Sequence, residues 1–301
     1  MQCCVLLLYR RISEGKIFSP HRAELHRIDA VVSERLTSSP YVANIYGFCG
    51  QSAINELARA SGRALRGGRR SPQQKLQFAI DVALGIATAH EIEKDGKVSL
   101  VHRDVRSTNF LMTNDGKHLM LHDFNCARLM TWDSKNDVRC AFYKPECVEV
   151  SSIVDAIKCN SLCIRLCCNI SLDHVILFLS DVVIIVQNRS PEECSGKPLT
   201  EKIDVYSMGN VLYVIATSRS PYGYPRKYSL EEVEKLIING TTPEIPQDFV
   251  ESEDPATQAI LSAMRKCYAY DPADRPSARE IALELQGEYN SLYCNNSEVN
   301  S

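Results

Sequence analysis

A chain of 301 residues is long enough for one large or two modest domains with a full hydrophobic core. Its 45% hydrophobic and 24% charged residues are ordinary for a globular protein, and a formal net charge of −3 gives no electrostatic case for nucleic acid or an anionic membrane as partner. Thirteen cysteines, behind a start (MQCCVLLLYRR) with too short an apolar run for a signal peptide, point to reduced thiols in the cytoplasm or nucleus rather than a disulfide framework.

Residues Cys4–Tyr9 read as β-like, although periodicity alone does not separate a buried strand from a short helix. A helix is expected over His21–Leu36, with Leu25, Ile28, Val32 and Leu36 on one face and Pro40 as its stop. Tyr41–Cys49 and Ser52–Leu57 follow as short strands joined across Gly50, and the Gly/Arg-rich Ala58–Arg70 as a flexible connection with solvated arginines. Ser71, Pro72 and Gln74 predict a capped helix start, and Leu76, Ile80, Ala83, Leu84 and Ala87 give its buried stripe up to His90.

The stretch VHRDVRSTNF (Val101–Phe110) sets Asp104 five residues before Asn109, with Arg106 between them. Phe110–Met112 and Leu119–Leu121 flank Asn114-Asp115-Gly116-Lys117, a hairpin signal, and Asp123 follows in LHDFN. The hairpin therefore delivers both acidic groups to one end of a two-stranded unit.

The composition changes near Val150. The block 150–187 is rich in cysteine and isoleucine and poor in charge, and its most apolar run, His174–Val186, is interrupted by Asp181 and too short to span a membrane. Cys159, Cys163 and Cys167 would share a helix face but lack a histidine or second pair at zinc spacing. Beyond Pro198 the pattern is helical: Glu201–Thr217 is apolar all round after Asp204, and Leu230–Ile238, Thr257–Tyr268 and Ser277–Leu285 are amphipathic.

HRDVRSTN resembles the catalytic loop of eukaryotic protein kinases, and HDFN their Asp-Phe-Gly magnesium motif with Asn125 in place of glycine. Ser190-Pro191-Glu192 is similar to the Ala-Pro-Glu motif that closes the activation segment. DVYSMG resembles the helix whose aspartate, here Asp204, braces the catalytic loop. DPADRPS resembles the end of the large lobe, where Arg275 would pair with Glu192. KCYAYDPADRPS and GTTPEIP look nearest to the tyrosine-kinase-like and tyrosine kinase branches. Small-molecule phosphotransferases related to aminoglycoside kinases share the Asp–Asn spacing but lack the Ser-Pro-Glu and DPADRPS signals.

The resemblance implies an α+β, two-lobed protein kinase fold: a strand-rich small lobe, truncated, over residues 1–57, a mainly helical large lobe over 58–289, and a tail over 290–301. It implies ATP and Mg2+ as cofactors and a protein as substrate, and leaves the oligomeric state open. Asp104 would accept the hydroxyl proton, Arg106 contact the γ-phosphate, and Asn109 and Asp123 hold magnesium. Adenine would lie at the hinge Asn55-Glu56-Leu57-Ala58, with Asn55 as gatekeeper and Leu111 beneath the ring. Thr131, Ser134 and Tyr143 are activation-segment hydroxyls, and Arg103 a partner for a phosphate there.

The chain departs from the family pattern in three places. It begins too late to contain a glycine-rich phosphate loop, Leu7 falls where the phosphate-binding lysine belongs, and Asn125 replaces a glycine. Lys16 reads as a solvated loop residue. The regulatory-helix carboxylate falls near Asp29, with Glu34 as the other register, and without its lysine it is expected to face solvent. The block 150–187 is either an insert or a retained intron whose removal leaves a segment of ordinary length. The expected function is transfer of the ATP γ-phosphoryl group to a protein hydroxyl; the alternative is a catalytically impaired pseudokinase acting as a binding or scaffold module.

Overall fold

In a computed structural model the described residues are 7–9, 20–49, 52–60, 65, 70–93, 96–133, 135, 138–142, 186–223 and 227–294. Lys16, Ser134, Tyr143 and the block 150–187, save its last two residues, lie outside them. No helix among the described residues is long and apolar enough to cross a membrane.

The small lobe combines β1 (Leu7–Tyr9), α1 (Pro20–Leu36), β2 (Ile45–Cys49) and β3 (Ser52–Glu56). Its sheet is antiparallel, in the order β1-β3-β2, with Leu7 opposite Glu56 and Phe48 opposite Ala53. The expected strand over Tyr41–Cys49 is shorter by four residues, because the backbone of Tyr41–Ala43 is used elsewhere. Leu121 N–H donates to the Tyr41 carbonyl at 2.8 Å, and Ala43 N–H donates to the Leu121 carbonyl at 3.0 Å. This pairing fastens the small lobe to the large one.

The Ala58–Arg70 stretch contains a strand rather than only a loop: β4 (Arg59–Ala60) pairs with β6 (Phe110–Met112), which pairs in turn with β7 (Leu119–Leu121), where the hairpin signal predicts it. Arg70 is not a solvated arginine either. Its guanidinium lies 5.1 Å from the Phe78 ring centroid and 3.8 Å from Met112 Sδ, so its stem and head cover apolar surface. A further antiparallel pair joins β5 (Leu100–Val101) to β8 (Arg128–Leu129), and a short ribbon joins β9 (Trp132–Asp133) to β10 (Val138–Arg139).

The large lobe packs α2 (Pro72–His90), α3 (Pro191–Cys194), α4 (Lys202–Thr217), α5 (Leu230–Ile238), α6 (Gln247–Val250), α7 (Pro255–Cys267) and α8 (Ala278–Tyr293). Helix α8 runs four residues past position 289, where the lobe was expected to end. Ser71 caps α2 as predicted, but Gln74 does not complete the box; its side chain donates to the Gly116 carbonyl at 3.0 Å and ties the helix start to the hairpin turn. Full capping boxes form at Ser190–Glu193, Ser229–Glu232 and Ser277–Glu280.

Helix α4 is the axis of the lobe, buried from Ile203 to Thr217. Gly209 lets it approach α7 closely: a Cβ there would stand 2.9 Å from Tyr268 Cε1 and 3.1 Å from Cys267 Cβ. Val186, the penultimate residue of the apolar block, packs with Tyr222, Val233 and Ile237, and Gln187 is buried.

Candidate active site

The loop between β5 and β6 carries Asp104, Arg106 and Asn109, and a tight turn at Ser107–Asn109 folds it back on itself. Asn109 Nδ2 donates to both the Asp104 carbonyl and Asp104 Oδ2, each at 2.9 Å. Arg106 Nε stands 3.1 Å from the same carboxylate oxygen and 3.3 Å from Asn109 Oδ1. The five-residue spacing in the sequence thus becomes a closed ring of three side chains.

Asp123 is brought to this ring by backbone. His122 N–H donates to the Asn109 carbonyl at 3.0 Å, and the His122 carbonyl lies 3.2 Å from His102 Nε2. Asp123 itself takes the left-handed conformation, with φ of 68°. Asn125, which stands in place of the glycine, is not in that conformation, so the residue that turns the chain is the aspartate. Phe124, fully buried, sets its ring 5.0 Å from that of His102.

Asp204 of α4 supports the loop from below. Its Oδ2 accepts from His102 N–H at 2.6 Å and lies 3.0 Å from His90 Nε2, while Oδ1 accepts from Arg103 N–H at 2.8 Å. Burial alone would raise this carboxyl; the bonds and charge of His90 and the contributions of His102 outweigh it and hold the group below its ordinary value. Deeper still, Arg275 Nη1 and Nη2 grip Glu192 at 2.6 and 2.9 Å, both residues at most 4% exposed. This pair locks α3 to the loop before α8.

The hinge candidates are arranged along one connection. Asn55 lies on β3 between Leu8 and Ile45, and Leu57-Ala58 join β3 to β4. The Glu56 carboxylate is engaged, accepting from Asn44 Nδ2 at 2.8 Å and from Asn44 N–H at 3.2 Å. Asn114 Nδ2 donates to the Leu57 carbonyl at 3.0 Å. Leu111, half-buried, sits on β6 opposite Ala60, which brings it to the same sheet as the end of the hinge.

Two side chains depart from expectation. Asp29 does not face solvent: its Oδ1 accepts from Phe124 N–H at 2.7 Å, linking α1 to the magnesium-motif segment. A signal was present, since Asp29 falls between Leu25 and Val32 on the apolar face of the helix. Arg103 is occupied, with Nη1 donating to the Cys126 carbonyl at 3.4 Å and its guanidinium 5.8 Å from the Phe142 ring, which Arg128 approaches from 4.9 Å. Arg189, which sequence reasoning missed, reaches the Arg103 carbonyl at 2.6 Å; no periodicity marks it.

The donor chemistry fits a hard cation. Asp123 offers a half-buried carboxylate; Asn109, its Nδ2 committed to Asp104, would offer its amide oxygen once that oxygen is released by Arg106, which stands 3.3 Å from it.

A strand-rich lobe hinged to a helical lobe, with this loop between them, is the two-lobed protein kinase fold. A model of the protein tyrosine and serine/threonine kinase family matches residues 180–285. The chain is 24% identical over 213 residues to RGS domain-containing serine/threonine-protein kinase A of Dictyostelium discoideum. It is 26% identical over 217 residues to dual specificity protein kinase pyk3 of the same organism, and 24% over 220 residues to putative mitogen-activated protein kinase kinase kinase 7-like of Drosophila melanogaster. These matches cover 71%, 72% and 73% of this chain but 14%, 12% and 42% of those proteins, so the chain spans less than half the length of each relative. Over the matched residues the chain is similar to the protein tyrosine and serine/threonine kinase family.

Proposed function

We propose that the chain transfers the γ-phosphoryl group of ATP to a hydroxyl of a protein substrate. The observation that carries this reading is the Asp104–Arg106–Asn109 ring, with the Asp123 segment bonded to Asn109 through His122. Asp104 accepts the proton of the acceptor hydroxyl as its oxygen bonds the γ-phosphorus and the bond to the β-phosphate oxygen breaks. Arg106 balances charge beside the transferred group. Asn109 and Asp123 would hold Mg2+, which supplies neutralisation of phosphate charge. Leu57, Ala58 and Leu111 line the adenine side, with Asn55 behind it; Glu56 contributes backbone only, its side chain being held by Asn44.

A second reading has its own observation. The described part of β1 consists of Leu7, Leu8 and Tyr9 and holds no lysine to meet the phosphates. On that reading the chain binds nucleotide or protein without transfer.

The two separate in one assay: magnesium-dependent ATP turnover by the whole chain, with casein as acceptor, against Asp104→Asn. The transfer reading expects a loss of about 100-fold or more, the range for removing a general base. Equal rates would remove Asp104 from any catalytic role and leave the binding reading.

A further inference from the structure

Arg189, immediately before the Ser-Pro-Glu motif, reaches back to the catalytic loop. Its Nη1 donates to the Arg103 carbonyl at 2.6 Å and to Glu193 Oε1 at 3.0 Å, and its Nη2 lies 3.9 Å from Asp104 Oδ1. The side chain is only 20% exposed, and Glu193 is 4% exposed. Glu193 is itself fixed: its Oε2 accepts from Ser190 N–H at 2.9 Å and from Ser190 Oγ at 3.1 Å. Nη1 thus bridges the buried capping box and the Arg103 carbonyl, while Nη2 is turned towards Asp104. Burial works against its charge, but Glu193 and Asp104 more than offset that and keep it protonated.

The carbonyl it grips is a sensitive one. Arg103 has φ of 68°, a left-handed conformation that is unfavourable for a residue with a side chain and persists only where neighbours impose it. Asp204 Oδ1 holds the Arg103 N–H from below, and Arg189 holds the Arg103 C=O from the side. The residue before Asp104 is therefore pinned at both of its backbone polar groups.

The Asp104 carboxylate is divided accordingly. Oδ2 is taken by Asn109 Nδ2 at 2.9 Å and Arg106 Nε at 3.1 Å, whereas Arg189 Nη2 approaches Oδ1 at a distance too long for a hydrogen bond but short enough for charge attraction.

We propose that Arg189 is a positioning residue for phosphoryl transfer: by clamping the Arg103 carbonyl and facing Asp104 Oδ1 without bonding it, it holds that oxygen ready for the acceptor hydroxyl. The proposal rests on the reading of Asp104 as proton acceptor. It also gives the activation segment a direct mechanical line to the catalytic loop, since Arg189 ends that segment and Glu193 ties it to α3. A displacement of the segment would release the clamp.

The test compares the whole chain with Arg189→Gln and Arg189→Lys, using Mg-ATP and casein. Arg189→Gln should lower kcat roughly 10- to 100-fold, a displacement-scale effect, with KM for ATP and casein within about twofold. Arg189→Lys, which keeps a charged donor for the carbonyl, should recover most of that loss. Amide hydrogen exchange gives a readout that needs no turnover: in Arg189→Gln the amides of Arg103 and Asp104 should exchange faster while those of α4 do not change. A kcat within twofold of the parent chain, or a loss shared equally by kcat and KM, overturns the proposal. If the parent chain and Asp104→Asn are equally inert, the reading of Asp104 fails by itself; faster exchange at Arg103 and Asp104 then still supports the clamp, and unchanged exchange overturns it.

Discussion

Beneath the catalytic loop Asp204, Glu192 and Arg275 are at most 4% exposed and bound by short hydrogen bonds, whereas in the small sheet above it Tyr46 and Phe48 stand 52% and 43% exposed. The lower region is a set of buried charges, each satisfied by partners distant in sequence. The upper one is a three-stranded sheet and a helix, joined to the rest by Val32, Leu36 and Val42 in the shared core and by polar contacts that include Tyr41–Ala43 with Leu121, Asp29 with Phe124, Arg35 with Glu93, and Leu57 with Asn114. The difference teaches how the labour is divided. The large lobe preorganises the groups proposed to move the proton and hold the metal, and the small lobe is attached at points that local opening can release.

The comparison breaks most visibly if the lower charges prove dispensable. Arg275→Met leaves Glu192 buried without its partner, and is expected to destabilise the chain by about 3–5 kcal/mol. Urea unfolding followed by the fluorescence of the tyrosines packed around it measures this directly. A change below about 1 kcal/mol would mean that the pair is an ornament of the fold rather than its fastening.

Asp204 comes next. Asp204→Asn removes a charged acceptor from the His102 and Arg103 amides and from His90, and is expected to lower stability by roughly 2–3 kcal/mol at neutral pH. The pH dependence carries a sign. The folded carboxyl lies below its ordinary 3.8, so its contribution is fully present above that value and is lost as pH falls through the depressed folded value. Stability curves of the parent chain and Asp204→Asn should therefore converge below about pH 3.8 and run parallel above it. Parallel curves throughout would show that folding does not shift the Asp204 carboxyl, and a parent curve that falls relative to Asp204→Asn above pH 3.8 would show that it is neutral in the fold.

Much of the lower region is legible in the sequence because family-like motifs mark it one segment at a time: HRDVRSTN, DVYSMG, Ser-Pro-Glu and DPADRPS each place a polar residue that the fold then joins to another. The hairpin and the helix ends follow from local chemistry, the turn signal at Asn114–Lys117 and the serine caps. What is not legible is what depends on pairing across the chain. Nothing local says that Tyr41–Ala43 will bond Leu121 instead of extending a strand, or that the left-handed residue is Asp123 rather than Asn125. Nor does spacing reveal Arg189 beside Asp104, or Phe142 beside Arg103, since in each case the partner lies tens of residues away.

The smallest expected effect sharpens the upper half of the comparison. Asp29 belongs to α1, and its carboxylate accepts the Phe124 N–H at 2.7 Å, so it joins the small lobe to the residue that follows Asp123. The contact is half-buried, and Asp29→Ala is expected to cost only about 1 kcal/mol in global stability. Its local consequence should be larger than its global one, because the Phe124 amide loses its partner while the Phe124 ring stays packed on His102. Amide exchange at Phe124 should therefore accelerate well beyond the change seen in α4, and Asp29→Asn, which keeps an acceptor oxygen, should restore most of the protection. If exchange at Phe124 and in α4 rise together, the two lobes open as one unit, and the division between a fixed lower region and an adjustable upper one is wrong.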